Sequence, residues 1–138
     1  MKKKSLPKLE PKKRFYISCD TFATDIAFFV NYSHSEMIKA AKNWNDDLYK
    51  FLGKYSDVDD EEDSANLGRM YPLERGYAVR LTFFKDSHRS NIGLLSHEVS
   101  HLVSWMLLDR RIKLSKNTDE VYAYLTEELI KKFLFKWY

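Results

Sequence analysis

Ser96-His97-Glu98-Val99-Ser100-His101-Leu102-Val103-Ser104-Trp105-Met106 is the stretch that orders everything around it. Leu102, Trp105 and Met106 recur at helical spacing and are expected in the core. The spacing predicts a helix from about Ser87 to Arg110, with Asp86 or Ser87 as its cap. On such a helix, residues four apart lie on one face, one turn above each other. His97 and His101 can therefore grip one divalent ion between them. Glu98 then points at a remaining coordination position, where a water would sit, and can act as general base. Two histidines one turn apart in an apolar helix, with a Glu between them, are hard to satisfy without a metal. The H-E-x-x-H spacing thus asks for metal-assisted hydrolysis, with zinc as the expected ion.

Outward from that helix, Tyr77 to Phe84 alternates, with Tyr77, Val79, Leu81 and Phe83 on one face. It pairs as a hairpin with Leu67 to Tyr71 across a turn at Pro72–Gly76. Further back, Phe15 to Ser18 and Asp25 to Tyr32 read as strands, the second with Ile26, Phe28 and Val30 on one side. Ser33-His34-Ser35-Glu36 has capping-box spacing. Met37, Ala41, Trp44, Leu48 and Leu52 then predict one helix that stops at Gly53. After the motif helix, a loop from Ile112 to Asn117 leads to a last helix, capped by Thr118 and running to about Lys136. The expected class is α+β: a small, mostly antiparallel sheet packed on three helices.

The 138 residues suit one domain, expected over 15–138 behind a basic flexible arm at 1–14. Residues 1–14 hold seven Lys or Arg against one Glu, and the run DVDDEED at 57–63 holds six acids. The two runs cancel, so the net charge of +3 does not point to nucleic acid. Residues 54–66 are expected to form a solvated loop. Calcium is the functional alternative there, but the run lacks the central Gly and the terminal Glu spacing of an EF-hand. Cys19 is the one cysteine, has no internal disulfide partner, and suits a reducing compartment. No apolar stretch follows the basic start as in a secretion signal, and none has the length of a membrane span. A cytoplasmic protein with no membrane partner is the expectation.

A catalytic zinc site wants three protein ligands and one open position. No His follows His101; Ser104 and Leu107 stand where an extended H-E-x-x-H-x-x-G-x-x-H motif needs Gly and His; His34 and His88 lie outside the motif. Cys19 is remote and unmotivated. A carboxylate remains. Glu120, nineteen residues after His101 in the first turn of the next helix, is the best placed, with Asp119, Asp109 and Glu127 as alternatives. Acids in a first turn are also favoured by the helix dipole alone. Tyr122, Tyr124, His88 and Arg80 are the candidates for stabilising an oxyanion opposite the ion.

The segment SHEVSHLVSWMLLDRRIKLSKNTDEVYAYLTEELI resembles the zincin-like metallopeptidases with a gluzincin-type ligand set, H-E-x-x-H plus a downstream Glu. More narrowly, it resembles small zincin-like proteins encoded by bacteriophages and prophages, over about residues 76–132. The resemblance implies a minimal zincin-like fold and a zinc ion held by His97, His101 and Glu120, with Glu98 as base. It also implies host cytoplasm as the compartment. Many gluzincins carry an Asp four residues after the ligand Glu; here that position is Tyr124. The expected activity is hydrolysis of peptide bonds in an intracellular protein or peptide lying extended along Tyr77–Phe84. The alternative is a non-catalytic zincin-fold protein that binds a host or phage protein through its charged arm and loop.

Overall fold

A computed structural model describes residues 8–53, 67–73 and 76–138. The described elements are β1 (Lys13–Cys19), β2 (Thr24–Val30), α1 (His34–Lys42), α2 (Asp46–Leu52), β3 (Gly68–Pro72), β4 (Tyr77–Leu81), α3 (His88–Asp109) and α4 (Asp119–Trp137). The strands form one sheet in the order β1-β2-β4-β3. β1 pairs antiparallel with β2 and β3 antiparallel with β4, while β2 and β4 run parallel. The class is α+β, with four helices among the described residues rather than three.

Both central strands are buried on both faces, as a strand covered by helices on two sides must be. Ile26, Phe28 and Val30 of β2 and Tyr77, Val79 and Leu81 of β4 face α3 and α4. Ala27, Phe29 and Ala78 face the other way, onto Met37, Ala41, Leu48 and Leu52 of α1 and α2. Phe133 of α4 is the centre of the first core: its ring lies 5.2 Å from Phe15, 5.0 Å from Phe28 and 5.7 Å from Phe83. Burying a side chain of that size stabilises by about 1.5–3 kcal/mol from area alone.

The region expected as one helix through Leu52 is two. The predicted capping box is present: Glu36 N donates to Ser33 Oγ and Ser33 N to Glu36 Oε1. The break falls at Asn43–Asn45, because Asn45 takes an extended conformation and its side chain accepts from Leu48 N, starting a second helix. Trp44 at the break covers the sheet edge, 4.3 Å from the Tyr16 ring, with the Arg14 guanidinium 5.1 Å away.

Residues 8–14 are not a free arm. Glu10 N donates to Phe83 O, Lys85 N donates to Lys8 O, and Lys13 and Arg14 belong to β1. The expected acidic loop, with its calcium alternative, and the first seven residues lie outside the described residues. No described helix is long and apolar enough to cross a membrane.

Two asparagines set the motif helix on the sheet. Asn31 has φ 64° and continues the β2–β4 ladder: its backbone N donates to Leu81 O and its side chain exchanges bonds with Phe83 N and O. Asn91, in the second turn of α3, accepts from Phe84 N at 3.0 Å and donates to Phe84 O at 2.8 Å. At the far end of α3, the Tyr77 hydroxyl donates to Asp109. Burial and the neighbouring Asp109 carboxylate push the Tyr77 phenol well above its ordinary range. α3 is thus pinned at both ends to the strand that precedes it.

Candidate functional site

Along α3 the buried residues are Leu95, Glu98, Val99, Leu102, Val103, Met106 and Leu107, a stripe at helical spacing. Leu102 and Met106 are core as expected. Trp105 is not; it is 42% exposed, because it falls beside the stripe. His97 and His101 lie on the outer face, both exposed, with their Nε2 atoms 3.2 Å apart and their rings 80° to each other. Two nitrogens bound to one tetrahedral zinc at about 2.0–2.1 Å stand roughly 3.3 Å apart. The pair therefore fits two positions of such a shell. The same distance also suits an N–H···N bond between two neutral rings.

Glu98 is turned inward, 6% exposed, against the edge strand β3. Its close neighbour is Gly68: a Cβ there would meet Glu98 Cγ at 2.8 Å and Oε1 at 2.9 Å. Only a residue without a side chain lets the carboxylate lie on the strand. Burial pushes the Glu98 carboxyl above its ordinary value, and the charges of His97, His101 and Arg80 partly oppose this. A carboxylate raised by desolvation one residue from His97 holds a proton more readily than a solvated one, which is what a general base requires.

The third ligand is a different matter. Among the described residues no three of His, Cys, Asp and Glu come together as a metal-holding group. Glu120 is exposed, on the side of α4 that carries Ala123, Tyr124 and Glu127, all exposed as well. The side turned to the core carries Leu125, Leu129 and Phe133. Tyr122, two residues on and so about 200° around the helix, is the residue that reaches α3: its hydroxyl lies 2.7 Å from Ser100 Oγ. Glu120 is therefore not gathered with His97 and His101 as the sequence led us to expect. Asp119 stands three residues before Tyr122, on the same ridge.

The remaining candidates separate clearly. His34 is buried on the opposite face of the sheet, its Nδ1 3.0 Å from the Tyr71 hydroxyl. Arg80 is buried on that face too, with its Nε donating to Tyr71. His88 sits at the start of α3 against the Tyr138 hydroxyl, and Tyr124 is 67% exposed. Cys19 is buried in the first core. Of the oxyanion candidates, only Tyr122 is held beside the His pair, through Ser100. Gly68 was missed from sequence; a lone Gly at a strand start gives little signal without knowing what packs on it.

The expected substrate strand also needs correction. β4 is hydrogen-bonded on both sides, by β2 and β3, and has no edge to offer. The strand at the edge of the sheet beside Glu98 is β3.

No family model, curated protein or solved structure matches this chain. Its chemistry has to follow from its own residues.

Proposed function

We propose that this protein is a zinc-dependent metallopeptidase acting on a protein or peptide in the cytoplasm. The observation that carries the reading is the constellation on one turn of α3: two imidazole nitrogens 3.2 Å apart, with a buried, raised carboxylate between them and the edge strand. His97 and His101 would hold the ion. A carboxylate from the first turn of α4 would join them, Glu120 by the resemblance, with Asp119 the competitor. A zinc ion bound there supplies Lewis acidity and lowers the pKa of water. Glu98 takes the proton of the attacking water and later returns it to the leaving amine. The Tyr122 hydroxyl, oriented by Ser100, is the donor available to a developing oxyanion. The substrate would lie extended along β3, the strand at the edge of the sheet beside Glu98.

Zinc-loaded protein should cleave a mixed denatured-protein substrate, and Glu98→Gln should abolish cleavage while keeping zinc. Cleavage that survives in Glu98→Gln would contradict the reading. The incomplete ligand set among the described residues favours one second reading, a non-catalytic zincin-fold interaction protein. Such a protein keeps its function in Glu98→Gln and loses it when residues 1–14 or 57–63 are neutralised.

A further inference from the structure

Immediately beyond the His pair, α3 and the chain after it enclose a groove of about 690 Å³. Its walls are Leu107 and Leu108 of α3, Ile112 and Leu114 of the following loop, and Tyr122 of α4. Leu108 is 65% and Leu114 64% exposed, so two large aliphatic side chains stand in water where the fold does not need them. Together with the apolar groove between them, they offer an apolar side chain a place to bind. The groove is not a loose feature of the loop. Ile112 packs on the first core, Ile112 N donates to Leu107 O, and Tyr122 is fixed to Ser100. Arg111, at φ 56°, turns the chain back over the helix end.

Two further facts define what would lie there. Ser104, which also lines the groove, and Leu108 continue the helix face of His101, three and seven residues on. At 1.5 Å per residue, these lie about 4.5 and 10.5 Å along the helix from His101. An extended peptide advances about 3.3 Å per residue, so a chain crossing the His pair presents to this groove a side chain about two to three residues away. The rim is charged with one sign: Arg111 and Lys113 line it, and no described acidic side chain does.

From this we infer that the groove is the specificity site for a peptide whose large aliphatic or aromatic side chain is followed by an acidic one. The inference rests on the peptidase reading for the register of the peptide, but the groove's selectivity can be measured without catalysis.

The probes are two fluorescein-labelled peptides, Ala-Ala-Leu-Glu-Ala-Ala and Ala-Ala-Ser-Lys-Ala-Ala, titrated against zinc-treated Glu98→Gln protein. The Leu-Glu peptide should bind at least about tenfold more tightly. Leu108→Ser with Leu114→Ser, both at exposed positions and so compatible with folding, should remove that preference. Arg111→Ala should remove its acidic part. Equal binding of the two peptides within twofold, or a preference unchanged in the Leu108→Ser, Leu114→Ser protein, would overturn the inference. Wild-type protein incubated with longer versions of the same peptides separates this from the enzyme question. Selective binding without cleavage keeps the groove and removes the peptidase; cleavage two to three residues from Leu, in the Leu-Glu peptide alone, supports both; cleavage of both peptides alike keeps the peptidase and removes the groove.

Discussion

The two faces of the sheet each bury polar side chains, and they treat them in opposite ways. Under α1, His34, Tyr71 and Arg80 are buried together and bonded to one another, with the Tyr71 hydroxyl between the imidazole and the guanidinium. Under α3, Glu98 is buried against Gly68, with desolvation raising its carboxyl and the charges of His97, His101 and Arg80 partly opposing this. The first arrangement is closed; it stabilises and specifies the fold, and nothing further has to arrive. The second is open, with a carboxylate raised by burial and two imidazoles answered only by each other. His97 and His101 are exposed to solvent, whereas Glu98 is buried and its charged form is penalised by that burial. On the proposed reading, a metal ion held by His97 and His101 completes this second cluster.

The largest expected effect is on the open side. Glu98→Gln should lower kcat by about 10²–10⁴, the usual worth of a general base, with zinc content unchanged. Peptide turnover by the zinc-loaded variant against wild type measures it. Next comes the packing that carries both faces. Phe133→Ala should cost about 3–5 kcal/mol by removing the ring that joins Phe15, Phe28 and Phe83. Urea unfolding reads this directly, and a loss under 1 kcal/mol would mean the core is centred elsewhere.

On the closed side, Tyr71→Phe should cost about 1–3 kcal/mol, because it removes the hydroxyl that bonds a buried imidazole and a buried guanidinium. Zinc affinity should not change. A variant that lost zinc but not stability would erase the contrast between the faces. Gly68→Ala sharpens it from the open side: the new Cβ cannot sit 2.8 Å from Glu98 Cγ, so the carboxylate must shift. Overpacking costs roughly 1–3 kcal/mol, and turnover should fall with little change in zinc content.

The smallest effect is a pH dependence of stability in metal-free protein. Burial pushes the Glu98 carboxyl above its ordinary value in the folded state. A raised folded pKa means the folded state holds the proton more tightly, so this group's contribution falls as pH rises from the unfolded value through the folded one. Glu98→Gln should therefore be more stable than wild type at neutral pH, and the gain should vanish below about pH 4. Thermal unfolding at both pH values decides; a gain that grows on acidification would reverse the sign and the assignment.

Much of this was legible in the sequence, for reasons that can be named. The alternation from Tyr77 and the capping box at Ser33 are local signals, and both elements begin where they were expected, though the strand ends at Leu81 and the helix at Lys42. The H-E-x-x-H pair needs only one helical turn to meet, so its geometry followed from spacing alone. What was not legible depends on contacts between distant segments. The parallel β2–β4 pairing makes β4 a central strand, and no local pattern reveals which strand lies at the edge of the sheet. The break at Asn43–Asn45 is a cap competing with an apolar repeat that would have run through it. Glu120 was placed by counting residues across a loop, and which side of α4 meets α3, where Tyr122 bonds Ser100, is not a local signal.

The central claim is that α3 holds a metal through His97 and His101, and metal content tests it most directly. Wild type, His97→Ala, Glu120→Ala and Asp119→Ala would be purified, reconstituted with zinc, dialysed and measured by mass spectrometry. The account expects one zinc per chain in wild type and none in His97→Ala. Glu120→Ala should weaken zinc by about a hundredfold or more, since even an outer partner is worth about 10–100-fold, and Asp119→Ala should weaken it less. No zinc in wild type after reconstitution would contradict the account and leave the protein as a binding module.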